Sequence, residues 1–167
     1  MAGMFIGEHT FKVDGKGRVS IPSDFRHELS EGDPLAATSG RPRMVIVYGH
    51  ASQKQLIVYT FDGFKALAEE IRALPRGSKR RKIMERMILN LARTTELDSD
   101  GRFVLPQMLR DKIALDGTAY FAGMGETFEI WKPETFDEEN AQFAEDWIEE
   151  MGPGADPLAL LDALEDE

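Results

Sequence analysis

The chain has no cysteine. That excludes disulfides and thiolate metal sites. It has no apolar run approaching the ~20 residues needed to span a bilayer. Its opening, "MAGMFIGEHT", lacks the basic region and apolar stretch of a signal peptide. These absences lead us to expect a soluble cytoplasmic protein. Catalytic signatures are missing as well. His9, His27 and His50 show no His-x-x-x-His or comparable ligand spacing. "GMGET" (123–127) is a lone Gly-x-Gly without the strand-and-helix context of a nucleotide site. No nucleophile elbow occurs. We therefore expect no enzyme, no cofactor and no metal.

One sign of charge is also missing from one end. Residues 134–167 hold 13 Asp and Glu and no Lys or Arg. The formal net charge of the chain is −10, yet residues 1–133 carry 20 basic and 17 acidic side chains, a net of +3. The acidity belongs to the tail. The mildly basic body can still present a local positive patch to a polyanion. At 167 residues and 42% apolar content, the chain suits one compact unit or two small ones sharing a core.

What is present is a repeat. "VDGKGRVSIP" (13–22) and "LDSDGRFVLP" (97–106) align at an offset of 84 residues. Asp14, Gly17, Arg18, Pro22 and Arg26 match Asp98, Gly101, Arg102, Pro106 and Arg110. Apolar positions track too: Val13 with Leu97, Val19 with Phe103, Ile21 with Leu105, Phe25 with Leu109 and Leu29 with Ile113. A second echo, "LIVYTFDGF" (56–64) and "FEIWKPETF" (128–136), falls at an offset of 72, because the first half carries an insertion at about 30–43. Two copies make a duplicated half-fold closing on itself, not a solenoid.

Each half reads alike. "TFKVD" and "TELD" are strand candidates. Asp at the first turn position accepts backbone N–H groups, and Gly at the fourth tolerates positive φ. So "DGKG" and "DSDG" are tight turns, and return strands start at Arg18 and Arg102. Pro22 and Pro106 end those strands and start short helices. Strands at 44–49 and 55–60, and at 118–123 and 127–131, complete the halves. Between them, apolar spacing predicts helices at 62–74 and 78–92, the second with Ser78 as N-cap. A last helix is expected at 136–151, then a flexible break at 152–157 and a loose acidic end.

At these residues the chain resembles the MraZ family of transcriptional regulators, which carry two AbrB/SpoVT-type swapped-hairpin domains. The resemblance rests on Phe5, Gly7, Asp14, Gly17, Arg18, Pro22 and Arg26, then on Glu96, Leu97, Asp98, Gly101, Arg102, Leu105, Pro106, Leu109 and Arg110. It covers roughly residues 4–150. It implies a mainly β, α+β fold: a duplicated swapped-hairpin β-barrel with pseudo-two-fold symmetry and linking helices. The implied domains are 4–62 and 94–137, joined by a helical link at 63–93. A C-terminal helix at 138–151 and an acidic tail at 152–167 follow. The implied function is regulation of the division and cell-wall gene cluster, including the protein's own gene, through double-stranded DNA. The implied partners are G-rich direct repeats in the operator and other copies of the chain in a ring, often an octamer. A repressor in the cytoplasm and on the nucleoid fits this description.

The family's Asp-x-x-x-Arg signature falls on Asp14/Arg18 and Asp98/Arg102. Its chemistry is sound in itself. A guanidinium matches guanine O6 and N7 bidentately, and a two-stranded ribbon enters a major groove. An aspartate four residues earlier can fix the arginine's rotamer or cap the turn. Lys16 completes the candidate DNA-binding set. Arg26 and Arg110 belong to it either as phosphate contacts or as hairpin-to-helix ion pairs. The run Arg76, Lys79, Arg80, Arg81 and Lys82 reads first as a solvated helix face. Phe128, Trp131, Phe136, Phe143 and Trp147 read as core or subunit interface. The alternative function is an antitoxin-like interaction module, with Leu158, Leu160, Leu161 and Leu164 in the tail as an apolar stripe. No membrane or small-molecule partner is expected.

Overall fold

The computed structural model describes residues 4–166, with side chains through 162. Eight strands run β1 Glu8–Lys12, β2 Arg18–Ser20, β3 Arg43–Val47, β4 Leu56–Thr60, β5 Ala92–Glu96, β6 Arg102–Val104, β7 Thr118–Gly123 and β8 Thr127–Trp131. Six helices intervene: α1 Ser23–Glu31, α2 Ala36–Ser39, α3 Phe61–Arg72, α4 Lys79–Met84, α5 Gln107–Lys112 and α6 Pro133–Met151. No helix among the described residues is long and apolar enough to cross a membrane.

The strands form a six-stranded antiparallel sheet, ordered β1-β7-β8-β4-β3-β5, and a two-stranded ribbon of β2 and β6. Exchanging β1 with β5, β2 with β6, β3 with β7 and β4 with β8 returns the same order reversed. The duplication read in the sequence is therefore a two-fold in space. Its axis passes the ribbon at the pair Val19–Phe103 and the sheet at the pair Ile57–Glu129. The halves interlock. β1 pairs with β7 of the second half, and β5 with β3 of the first. The return strands β2 and β6 pair with each other across the axis. The turns are where the sequence puts them, and the swap implied by the family resemblance is what the return strands do. The fold is α+β, built on antiparallel sheet.

The core lies between ribbon, sheet and the helices α1 and α5. Every apolar pair matched by the 84-residue offset is buried: Val13/Leu97, Val19/Phe103, Ile21/Leu105, Phe25/Leu109 and Leu29/Ile113. From the sheet come Met44, Ile46, Leu56, Val58, Phe121, Phe128 and Ile130. Phe5 and Phe25 pack edge to face at 5.3 Å between ring centroids, and Phe5 meets Phe128 at 5.0 Å. Burying one such side chain contributes ~2 kcal/mol. Phe128 and Trp131 are thus core residues, as expected.

One boundary differs from expectation. The second linking helix ends early. Ser78 does cap it, accepting the Arg81 N–H at 3.2 Å. But residues Glu85–Leu89 widen into a π-helical turn, closed by the Asn90 N–H on the Glu85 carbonyl at 2.8 Å. The chain then enters β5 at Ala92, because the Leu91 carbonyl is taken by the Tyr48 and Gly49 N–H groups. The insertion is anchored by one ion pair. Asp33, buried, accepts the Arg43 backbone N–H at 2.8 Å and its guanidinium at 2.6 and 3.0 Å. Arg43 also lies 3.6 Å from the centroid of the Phe61 ring.

Residues 134–167 form a separate compact unit. Within it, α6 begins with Glu134 in its first turn, where a negative charge suits the helix dipole. Phe143 on this helix is 73% exposed in the single chain. The end expected to be loose is a 3₁₀ helix over Pro157–Asp166. Leu158, Leu160 and Leu161 are exposed there, and the side chain of Leu164 lies outside the described ones.

Candidate nucleic-acid interface

The two Asp-x-x-Gly turns have one construction. The Asp14 carbonyl accepts the Gly17 N–H at 2.9 Å, and the Asp98 carbonyl accepts the Gly101 N–H at 3.0 Å. Asp14 Oδ1 accepts the N–H groups of Lys16 and Arg18, both at 2.9 Å. Asp98 Oδ1 accepts those of Asp100 and Arg102 at 2.9 and 3.0 Å. Gly17 and Gly101 sit at φ of 86° and 75°, a region a side chain resists. Satisfied in this way, each aspartate is held as an anion. The Arg18 backbone N–H, with its side chain next, brings the Asp14 pKa down to about 2. The Arg102 backbone N–H is the chief cause of the lowered pKa of Asp98.

The ribbon fixes where the arginines point. Val19 and Phe103 occupy its inner face and are buried. Strand alternation then turns Arg18 and Arg102 outward. Arg18 lies opposite Val104, and Arg102 opposite Ser20. All four outward positions of this short ribbon thus cluster around the two-fold axis. Val104, 54% exposed, and Ser20 were not among the residues singled out by the repeat. The signal that finds them is period-2 alternation counted from Val19 and Phe103.

Each aspartate also faces its arginine side chain, though unequally. Arg18 Nε donates to Asp14 Oδ2 at 2.7 Å. Arg102 Nε stands 3.7 Å from Asp98 Oδ2, and its Nη2 donates to Asp100 Oδ2 at 3.2 Å. Lys16 occupies the position of Asp100 in the first turn and is exposed.

Arg26 and Arg110 cross the axis. Arg110 Nε donates to the Leu105 carbonyl at 2.9 Å, and the guanidinium lies over Gly17 of the opposite turn. Arg26 lies over Gly101, with Nη1 on the Asp100 carbonyl at 3.3 Å and a buried Nε that makes no hydrogen bond. Neither forms a hairpin-to-helix ion pair among the described residues; Arg26 donates to backbone of the other half's turn, whereas Arg110 donates to Leu105 of its own half and only packs against Gly17 of the other. The ribbon ends are tied the same way, with the Ile21 N–H on the Gly101 carbonyl at 3.0 Å and the Leu105 N–H on the Gly17 carbonyl at 2.7 Å. A side chain at Gly17 or Gly101 would collide with these elements.

In the basic run, Arg81 is structural: its Nη1 donates to the carbonyls of Arg72 and Leu74, closing α3. Arg76, Lys79, Arg80 and Lys82 are exposed. A cleft of about 500 Å³ between β4 and α3 shares no residue with the hairpins. Asp62, Glu70 and Glu126 line it, so it repels a polyanion.

A duplicated swapped hairpin with two carboxylate-held arginines on one outward face defines the class: a paired-hairpin protein of the AbrB/SpoVT type. The family model described as "MraZ protein, putative antitoxin-like" matches residues 4–91 and 87–150. Among its relatives, a protein of Ruegeria pomeroyi is 46% identical over 97% of each chain. One from Cereibacter sphaeroides is 43% identical over 97% of this chain and 98% of its own. One from Marinobacter nauticus is 33% identical over 93% of this chain and 98% of its own. All three are named "Transcriptional regulator MraZ". The chain belongs to the MraZ family. Transcriptional regulation is not an enzyme class, in agreement with the missing catalytic motifs.

Proposed function

We propose that this chain is a sequence-specific DNA-binding regulator of transcription. The β2/β6 ribbon enters a major groove, and Arg18 and Arg102 read guanine edges in G-rich direct repeats. Asp14 and Asp98 shape the turns and orient the arginines. Lys16 contacts phosphate. Arg26 and Arg110 hold the opposite turn in place and lie near enough to the ribbon ends to add backbone contacts. Residues 4–62 and 94–137 act as the two DNA-binding repeats, and 63–93 links them. The observation that carries this reading is the pair of outward arginines on one ribbon, each beside a carboxylate that remains charged at neutral pH.

The target is the DNA upstream of the division and cell-wall gene cluster, the protein's own gene included, and the action there is repression. Copies of the chain form a closed ring, so that neighbouring subunits meet successive repeats and raise each other's effective concentration. A cytoplasmic, nucleoid-associated protein follows from that role. A footprint of the purified protein on the DNA upstream of its own coding sequence tests the proposal. Protected G-rich repeats, bound far more tightly in threes than singly, support it; no protection anywhere in that DNA overturns it.

The second reading is an antitoxin-like interaction module. The words of the family description and the exposed Leu158, Leu160 and Leu161 favour it. A stoichiometric protein partner on purification, with no shift of DNA, would select that reading.

A further inference from the structure

We infer that the two hairpins are unequal readers: Arg18 is the principal base-reading arginine, and Asp100 holds Arg102 back. This rests on the DNA-binding reading above and says which half of the site does the discriminating.

A guanidinium reads guanine through two N–H groups on one edge. The first hairpin leaves such an edge open. Asp14 engages Arg18 through Nε alone, at 2.7 Å, and neither terminal nitrogen donates to a described residue of the chain. The side chain is held at its base and free at its tip, the preorganised state in which least rotamer entropy is lost on binding.

The second hairpin has the opposite arrangement. Its contact to Asp98 is stretched to 3.7 Å. The terminal Nη2 is instead turned onto the Asp100 carboxylate at 3.2 Å. That contact uses one of the nitrogens a bidentate reading needs. Asp100 is also 71% exposed at the side chain, so it presents a negative charge where phosphates approach. The matching residue of the first turn is Lys16. The five-residue motifs "DGKGR" and "DSDGR" differ at two positions, and the one that carries charge, Lys16 against Asp100, changes the formal charge of the motif from +1 to −1. The outward neighbours differ in the same sense. Arg18 faces the exposed, apolar Val104, which fits a thymine methyl beside the guanine, whereas Arg102 faces Ser20.

The test measures affinity for the shortest fragment of the DNA upstream of the protein's own coding sequence that binds. Four proteins are compared: the parent, Arg18→Ala, Arg102→Ala and Asp100→Asn. Each is also melted by circular dichroism. Arg18→Ala is expected to weaken binding about ten- to a hundredfold. Arg102→Ala is expected to weaken it by about threefold or less, since that residue's tip is already occupied. Asp100→Asn, which keeps the size and removes the charge, is expected to tighten binding at low salt and to lose that advantage as salt rises. In the Asp100→Asn background, Arg102→Ala should then weaken binding about as much as Arg18→Ala does in the parent. That gain in the importance of Arg102 is something a purely structural role for Asp100 does not produce. Equal losses from Arg18→Ala and Arg102→Ala in the parent overturn the inequality while leaving DNA binding intact. So does an Arg102→Ala effect that ignores Asp100→Asn. A parent that binds no fragment overturns the DNA reading itself, and the inequality with it.

Discussion

The first hairpin seats Arg18 Nε 2.7 Å from its aspartate, whereas the second leaves Arg102 Nε 3.7 Å away. The clamps behind them differ as well. Arg110, behind the first turn, uses its Nε on a carbonyl; Arg26, behind the second, leaves its buried Nε unpartnered. The helix exits differ again. After α5 the chain closes at once, with Ala114 at φ 55° and the Leu115 N–H on the Arg110 carbonyl at 2.8 Å. After α1 it detours through α2 and the Asp33–Arg43 pair before β3. The duplication kept what the two-fold axis requires: the glycines, the aspartate Oδ1 acceptors and the paired core residues. It released what lies outside that requirement, which is charge at the turn tip and length at the helix exit.

Breaking the turns gives the largest expected effect. A Cβ on Gly17 would meet the Leu105 backbone carbonyl, which cannot move without the ribbon, and would sit at positive φ. Gly17→Val should destabilise the protein by ~3 kcal/mol. At Gly101 the obstacle is the Arg26 side chain, which can swing away. Gly101→Val should therefore cost less, ~1–2 kcal/mol, mostly from the backbone. Denaturant melts of the two variants check the order. Equal losses would mean that the ribbon is not the rigid element described here.

The insertion sharpens the comparison from the other side, because only the first half has it. Asp33→Ala leaves the Leu35 and Arg43 N–H groups and the Arg43 guanidinium without their acceptor. A loss of ~2 kcal/mol is expected. Acid should act on the same pair. The Arg43 guanidinium, above all, lowers the Asp33 pKa from 3.8 to about 2. A depressed carboxylate pKa gives stability that is present above about pH 4 and lost as the pH falls through about 2. The parent should lose roughly 2 kcal/mol from this group across that window, and Asp33→Ala should lose correspondingly less. Melting curves from pH 5 to the acid limit would show it. Parallel curves for both proteins would refute the assignment.

The smallest effect concerns side-chain order. NMR of the arginine Nε–H groups should show Arg18 as the more ordered, and Asp14→Asn should loosen it. Asp98→Asn should change Arg102 little, since 3.7 Å is beyond a hydrogen bond. A similar response at both sites would contradict the asymmetry.

Much of this was legible in the chain itself. The repeat placed both turns, both prolines and the apolar residues that became the core, because turn chemistry and alternation are local. What was not legible depends on contacts across the axis. Nothing near Arg26 in sequence says that it rests on Gly101, 75 residues on. The π-turn at Glu85–Leu89 breaks no spacing rule, so apolar spacing alone predicts a helix to 92, where β3 in fact takes Ala92 as a strand partner. Lys16 and Asp100 were both in plain view. Their consequence needed the geometry of Arg102, whose tip turns to Asp100.

The most direct test of the account is the affinity of the double variant Arg18→Ala/Arg102→Ala for the DNA upstream of the protein's own coding sequence, measured beside its melting temperature. Both side chains are outward and neither fills the core, so the melting temperature should stay close to that of the parent. Specific binding should fall to the level seen with unrelated DNA. A double variant that keeps the parent's affinity for that DNA would contradict the claim that these hairpins read it.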